Sequence, residues 1–96
     1  MAGEWIPIDC NLGTKPEVME IVVLTGQPVD AVIGRLVRLW AWAQLNSKDG
    51  SLKATTAILA RVAGGDPKFW EIVAETGWIE LGEKTVTIAR RGYNGR

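Results

Sequence analysis

Histidine is missing from this 96-residue chain, and cysteine occurs once, at Cys10. Without histidine there is no imidazole to act as general base, to activate a serine or a thiol, or to ligate zinc or haem iron. A single cysteine excludes an internal disulfide and fits a reducing cytoplasm. Flanked by Asp9 and Asn11 with no base beside it, Cys10 is expected to be inert. An excess of either charge is also missing, since eleven Lys and Arg balance eleven Asp and Glu. No global field therefore draws the chain to nucleic acid or anionic lipid, and any such binding must come from local clustering. No apolar run approaches the roughly 20 residues that span a bilayer. Met1-Ala2-Gly3-Glu4 has neither the basic start nor the apolar core of a signal peptide. The carboxylates show no paired spacing for acid–base work or metal binding, and Gly64-Gly65 is not followed by the Lys-Ser/Thr of a phosphate loop. The expectation is a soluble, unprocessed protein that is not an enzyme, carries no cofactor or metal and does not enter a membrane.

What the chain does hold is apolar mass. Hydrophobic residues make up 47% of it and include five tryptophans, enough to offset the ordering entropy of one domain. The organising stretch runs from Pro28 to Asn46. Val29, Val32, Ile33, Leu36, Leu39, Trp40 and Ala43 recur at the spacing that stacks side chains on one helical face. Pro28 suits the first turn, where its missing N–H is harmless, and Asn46-Ser47 followed by Asp49-Gly50 closes the helix. Upstream, Trp5-Ile6-Pro7-Ile8-Asp9 alternates around a proline, which restricts it to an edge strand or extended arm. Thr14 as N-cap, Pro16 and Glu17 as capping-box partner predict a short helix that ends at Gly26. Its face is Val18, Ile21, Val22 and Thr25, with Met19 and Val23 beside it.

Downstream, Ser51 to Ala54 allows only a short strand. Thr55 or Thr56 caps a second short helix that stops at Gly64-Gly65. Asp66 caps the next, with Pro67 at its first position, and Phe69, Ile72, Val73 and Thr76 form its buried stripe before Gly77. Trp40, Phe69 and Trp78 are assigned to the core. Trp70, about 100° round the helix from Phe69, is left open between core and surface. Two short helices about a glycine turn form a helix-turn-helix candidate. Trp78 to Leu81 and Thr85 to Ile88 alternate about Gly82-Glu83-Lys84, the composition of a hairpin wing. The expected fold is α+β and mainly helical, a winged helix-turn-helix with about four helices and a C-terminal β-hairpin wing. Residues 1–89 make the domain with its N-terminal arm, and 90–96 a basic flexible tail.

At this point the chain resembles the winged-helix domains at the N-terminus of bacteriophage replication initiators and replisome organisers, including the DnaD-type primosomal proteins. The residues that carry the resemblance are Trp5-Ile6 with Lys15-Pro16, Gly34 to Ala43, Asp49 to Leu52, and Phe69-Trp70 through Gly77 to Glu80. The resemblance implies DNA binding in replication initiation inside a bacterial host cell. It implies duplex DNA first and single strands second, with a replication or host protein as a further partner. Such domains usually continue into a C-terminal region.

The predicted recognition helix turns Pro67, Lys68, Glu71 and Glu75 outward and, with Asp66, presents a net acidic surface. That weakens ordinary major-groove reading, because phosphate contacts come from Lys and Arg. The better basic cluster is Lys84 at the wing with Arg90, Arg91 and Arg96, which follow Glu83 with no further acid. Lys84, Arg90 and Arg91 are therefore assigned to phosphates, with Lys53, Arg61 and Lys68 as secondary DNA contacts. The competing reading of this cluster is a solvated chain end. On the long helix, Arg35, Arg38 and Trp42 share an edge about 120° from the apolar stripe. With Glu71 and Glu75 they compose the alternative, a protein-interaction module that oligomerises or inhibits a host complex. Cover of Trp42 by the arm or the first helix is the simpler account of that residue. A small dimeric transcriptional regulator is the third reading.

Overall fold

The computed structural model describes residues 15–47 and 49–88. The expected N-terminal arm, the Thr14 cap, Cys10 and the tail with Arg90, Arg91 and Arg96 lie outside them. Among the described residues the chain is α+β, with helices α1 (Pro16–Thr25), α2 (Val29–Asn46), α3 (Thr56–Ala63) and α4 (Pro67–Glu75). Strands β1 (Ser51–Leu52), β2 (Ile79–Leu81) and β3 (Val86–Ile88) complete the element order, with β1 between α2 and α3 and the other two after α4. No helix among the described residues is long and apolar enough to cross a membrane.

Capping chemistry explains most of the helix boundaries. Asp66 Oδ1 accepts the Phe69 N–H at 2.8 Å and opens α4 with Pro67 beside it. Of the two threonines expected to cap α3, Thr55 takes the role, accepting the Ile58 N–H. Gly26 ends α1 at φ +70, a left-handed conformation that favours glycine, with its N–H on the Val22 carbonyl. The N-cap position of α1 falls to Lys15, whose side chain makes no capping bond, and the Thr14 cap expected there lies outside the described residues; the start expected for α2 is corrected. Pro28 stands one residue before α2 with an extended backbone (ψ 149), and its carbonyl accepts the Val32 N–H.

The turn after α2 is closed by Asp49. Its carboxylate accepts the Ser51 N–H at 2.9 Å and the Ser47 hydroxyl at 3.2 Å. These two bonds, the backbone one first, hold the Asp49 carboxyl pKa below its ordinary value of 3.8. The Ser47 hydroxyl accepts the Gly50 N–H in turn, and the Gly50 carbonyl accepts from Ile88 at 2.9 Å. That last bond leads β1 onto β3.

The sheet is antiparallel in the order β1-β3-β2. Ser51 faces Thr87 and Leu52 faces Val86 across one pair, while Ile79 faces Ile88 and Leu81 faces Val86 across the other. The strand period of two turns Leu52, Ile79, Val86 and Ile88 into the core. Thr87 between them pairs its hydroxyl with Ser51 at 3.3 Å on the other face. The hairpin was expected; the third strand beside it was expected only as a short extended piece of its own. The stretch Ser51 to Ala54 is strand only over its first two residues.

The core lies between this sheet and the helices. Val32, Leu36, Leu39, Trp40 and Ala43 of α2 are buried as the stripe required, with Val29 and Ile33 half-buried against them. Trp40 meets Trp78 at 5.7 Å between ring centroids, tilted by 39°, a separation at which aromatic rings attract. Trp70 belongs to the core: it is 0% exposed, stacks edge-on against Phe69 at 5.0 Å, and donates its indole N–H to the Gly64 carbonyl at 2.9 Å. On α1 the expectation holds for Val18 and Ile21. Met19 and Val23, however, are 41% and 77% exposed and lie outside the core face.

Candidate functional site

Apart from Lys15 at the start of α1, the cationic side chains of the described residues gather at the two ends of α3. At its start, Lys53 precedes the helix and Lys84 stands in the β2–β3 turn. The turn is closed by a bond from the Gly82 N–H to the Thr85 carbonyl at 2.8 Å. It is tied to the helix start by the Ala54 N–H, which donates to the Lys84 carbonyl at 3.1 Å. Lys53 and Lys84 consequently flank one shallow depression, with Thr55, Thr85 and the partly exposed Ile58 between them. The adjoining hollow carries Glu71 of α4 and Glu83 of the turn, so the positive patch ends at that border. Two ammonium groups beside one depression supply the kind of positive charge that contacts phosphates.

At the other end of α3, the chain turns through Gly64 (φ +94) and Gly65 (φ +83). Both values lie in the region that L side chains rarely adopt. Arg35 reaches across from α2 and lays its guanidinium over the Phe69 ring, 4.7 Å from the centroid, a cation–π contact. Its Nη1 and the Phe69 ring both come within 3.4 Å of where a Cβ on Gly65 would sit. A Cβ at that distance makes ordinary contact, so it is the positive φ that favours glycine at Gly65. Arg38, one helical turn along, brings Nη1 to 3.7 Å of the corresponding point on Gly64. Lys68, exposed in the first turn of α4, lines the depression next to Arg35 and Gly65.

The residues proposed from sequence therefore divide differently in space. Lys53 and Lys84 come together. Arg61 is exposed in the last turn of α3, where a cation suits the negative end of the helix dipole. Lys68 sits with Arg35 and not with Lys53. Arg90 and Arg91 lie outside the described residues. Of the interaction set, Arg35 and Arg38 share the glycine turn, and Trp42 is half-buried against the core. Glu71 and Glu75 are exposed on α4 as the helical step required, which leaves that surface acidic. Sequence reasoning missed Gly64, Gly65 and Phe69 as neighbours of Arg35. No local signal announced them: Gly34 stands inside α2, but a Cβ there would meet nothing within 4 Å, so it marks no close approach.

No protein-family model, curated protein or solved structure matches the chain.

Proposed function

We propose that the chain is a winged helix-turn-helix DNA-binding domain of the kind found in phage replication initiators, and that it holds duplex DNA by the wing and the start of α3. The single observation that carries this reading is the fastening of the β2–β3 turn to the segment before α3, through Ala54 and Lys84. It sets Lys53 and Lys84 side by side. The sheet order β1-β3-β2 with α3 and α4 inserted between β1 and β2 supports the same reading. Arg90 and Arg91 follow β3 in the chain by two and three residues and extend the cationic run beyond the wing. Glu71 and Glu75 disfavour deep insertion of α4 in the major groove, so contact is to backbone, with little base reading. Titration of a labelled duplex at rising salt tests this. The logarithm of affinity should fall linearly with the logarithm of salt, and Lys53→Ala with Lys84→Ala should flatten the slope by about 0.9 per lost phosphate contact. An unchanged slope refutes the assignment.

One observation favours the interaction reading instead. Val23, Met19 and Leu24 expose apolar surface along α1, and contiguous apolar surface marks contact sites. Under that reading, Val23→Glu changes the sedimentation of the protein or its capture of a replication partner and leaves DNA affinity intact.

A further inference from the structure

The cleft between α2 and the α3–α4 turn has a chemistry of its own. Its floor is Ala31 and Gly34 of α2, Ala63 at the end of α3, and Gly64 with Gly65. None of these has a side chain beyond Cβ; a Cβ on Gly34 would meet nothing within 4 Å, so the backbone is open there, while Arg35 and Arg38 already lie against Gly64 and Arg35 against Gly65. Over this floor stand Arg35 and Arg38. Arg35 is held in place by Phe69, yet neither guanidinium makes an ion pair or hydrogen bond to any other described residue. Each guanidinium carries five N–H donors in a planar fork that matches the oxygens of a phosphate. The contact with the Phe69 ring restrains one fork before any ligand arrives, which lowers the ordering entropy of binding. The carboxylate nearest in sequence to the turn, Asp66, is turned to the start of α4, where it accepts the Phe69 N–H.

We infer that this cleft binds a phosphate group, gripped by Arg35 and Arg38 above the Gly64-Gly65 turn. It is separate from the Lys53–Lys84 patch. Lys53 precedes α3 and Gly64 follows it, and eight helical residues at 1.5 Å each set the two ends about 12 Å apart. The phosphate comes from the DNA backbone or from a free phosphate compound, and only the first source rests on the function proposed above.

The test is an NMR titration of the whole chain. It follows the Nε–Hε signals of Arg35 and Arg38 and the amides of Gly64 and Gly65, first with inorganic pyrophosphate and then with a short duplex. Pyrophosphate should move these signals to saturation. Arg38→Ala, an exposed position, should weaken the binding at least about tenfold while the fold persists, as expected for loss of a charge-assisted contact. Arg35→Lys, which retains charge and loses the fork, should weaken it as well. Shifts that grow linearly without saturating, or that saturate alike in Arg38→Ala, overturn the inference. A duplex that moves the same signals and is displaced by pyrophosphate identifies the backbone as the source. A duplex that moves only the Lys53 and Lys84 amides assigns the cleft to a free phosphate compound. If pyrophosphate saturates and the duplex moves nothing, the cleft stands and the DNA function falls.

Discussion

Replacing Trp70 by phenylalanine probes the joint on which the α3–α4 arrangement depends. The indole N–H is bonded to the Gly64 carbonyl at 2.9 Å, and the ring is 0% exposed against Phe69. Phenylalanine keeps an aromatic ring but removes the donor and part of the ring volume. The unmade bond costs about 1 kcal/mol, the lower end of the range, because Gly64 is only half-buried. The ring atoms withdrawn and the cavity they leave add about 1–2 kcal/mol. The total, about 2–3 kcal/mol, is a large share of the roughly 5–15 kcal/mol that stabilises a domain. At about 4–8 °C per kcal/mol for a chain of this size, the midpoint should drop by about 10 °C or more. Urea unfolding followed by far-UV circular dichroism gives the difference directly. Trp42→Phe is the internal control, since Trp42 is half-buried and its indole makes no hydrogen bond to the described residues. It should cost under about 1 kcal/mol. A Trp70→Phe variant within about 0.5 kcal/mol of the parent, or a costlier Trp42→Phe, refutes the role assigned to the Trp70–Gly64 bond.

Other expectations follow from the same structure. Gly64→Ala forces a side chain into φ +94, ψ 173 and should destabilise by about 1–3 kcal/mol in the same urea assay. Asp66→Ala removes the cap of α4 and should lower stability by about 1 kcal/mol, with Thr55→Ala losing a similar amount at α3. Asp49, its carboxyl acidity raised by the Ser51 N–H and the Ser47 hydroxyl, contributes stability that is present above the unfolded-state value and lost as pH falls through the lower folded one. Unfolding between neutral and acid pH should show this, and Asp49→Asn should flatten the acid limb; an unaltered limb means the turn is not held by this carboxylate. Val23→Ser at the exposed face of α1 should change stability by no more than about 0.5 kcal/mol when measured by thermal unfolding.

The parts of this fold that could be read from sequence are those with local causes. Pro67 and Asp66 announce α4 because proline and a capping carboxylate act within one turn. The apolar spacing of α2 announces its buried stripe because a helix of that length averages over its neighbours. What could not be read depends on where distant elements come to rest. Trp70 lies a helical step from Phe69, yet both are buried, because α4 meets α1, α3 and β2 and is covered around much of its girth. Met19 and Val23 have the composition of a core face and are exposed, since α1 turns Val18, Ile21 and Val22 to the core. A two-residue strand has no period to detect, so the pairing of β1 with β3 is visible only in three dimensions. The edge of α2 that carries Arg35 and Arg38 followed from the helical step. Its contact with the glycine turn depends on the path of α3, to which a helical wheel is blind.

The central claim, DNA contact through the wing and the start of α3, is tested most directly by mapping amide shifts across the domain as a short duplex is added at low salt. The account predicts that residues 53–56 and 83–85 move together to saturation and that Glu71 and Glu75 on α4 stay near their free positions. Saturating shifts centred on Glu71 and Glu75, or no shift at residues 53–56 and 83–85 at any duplex concentration, would contradict it.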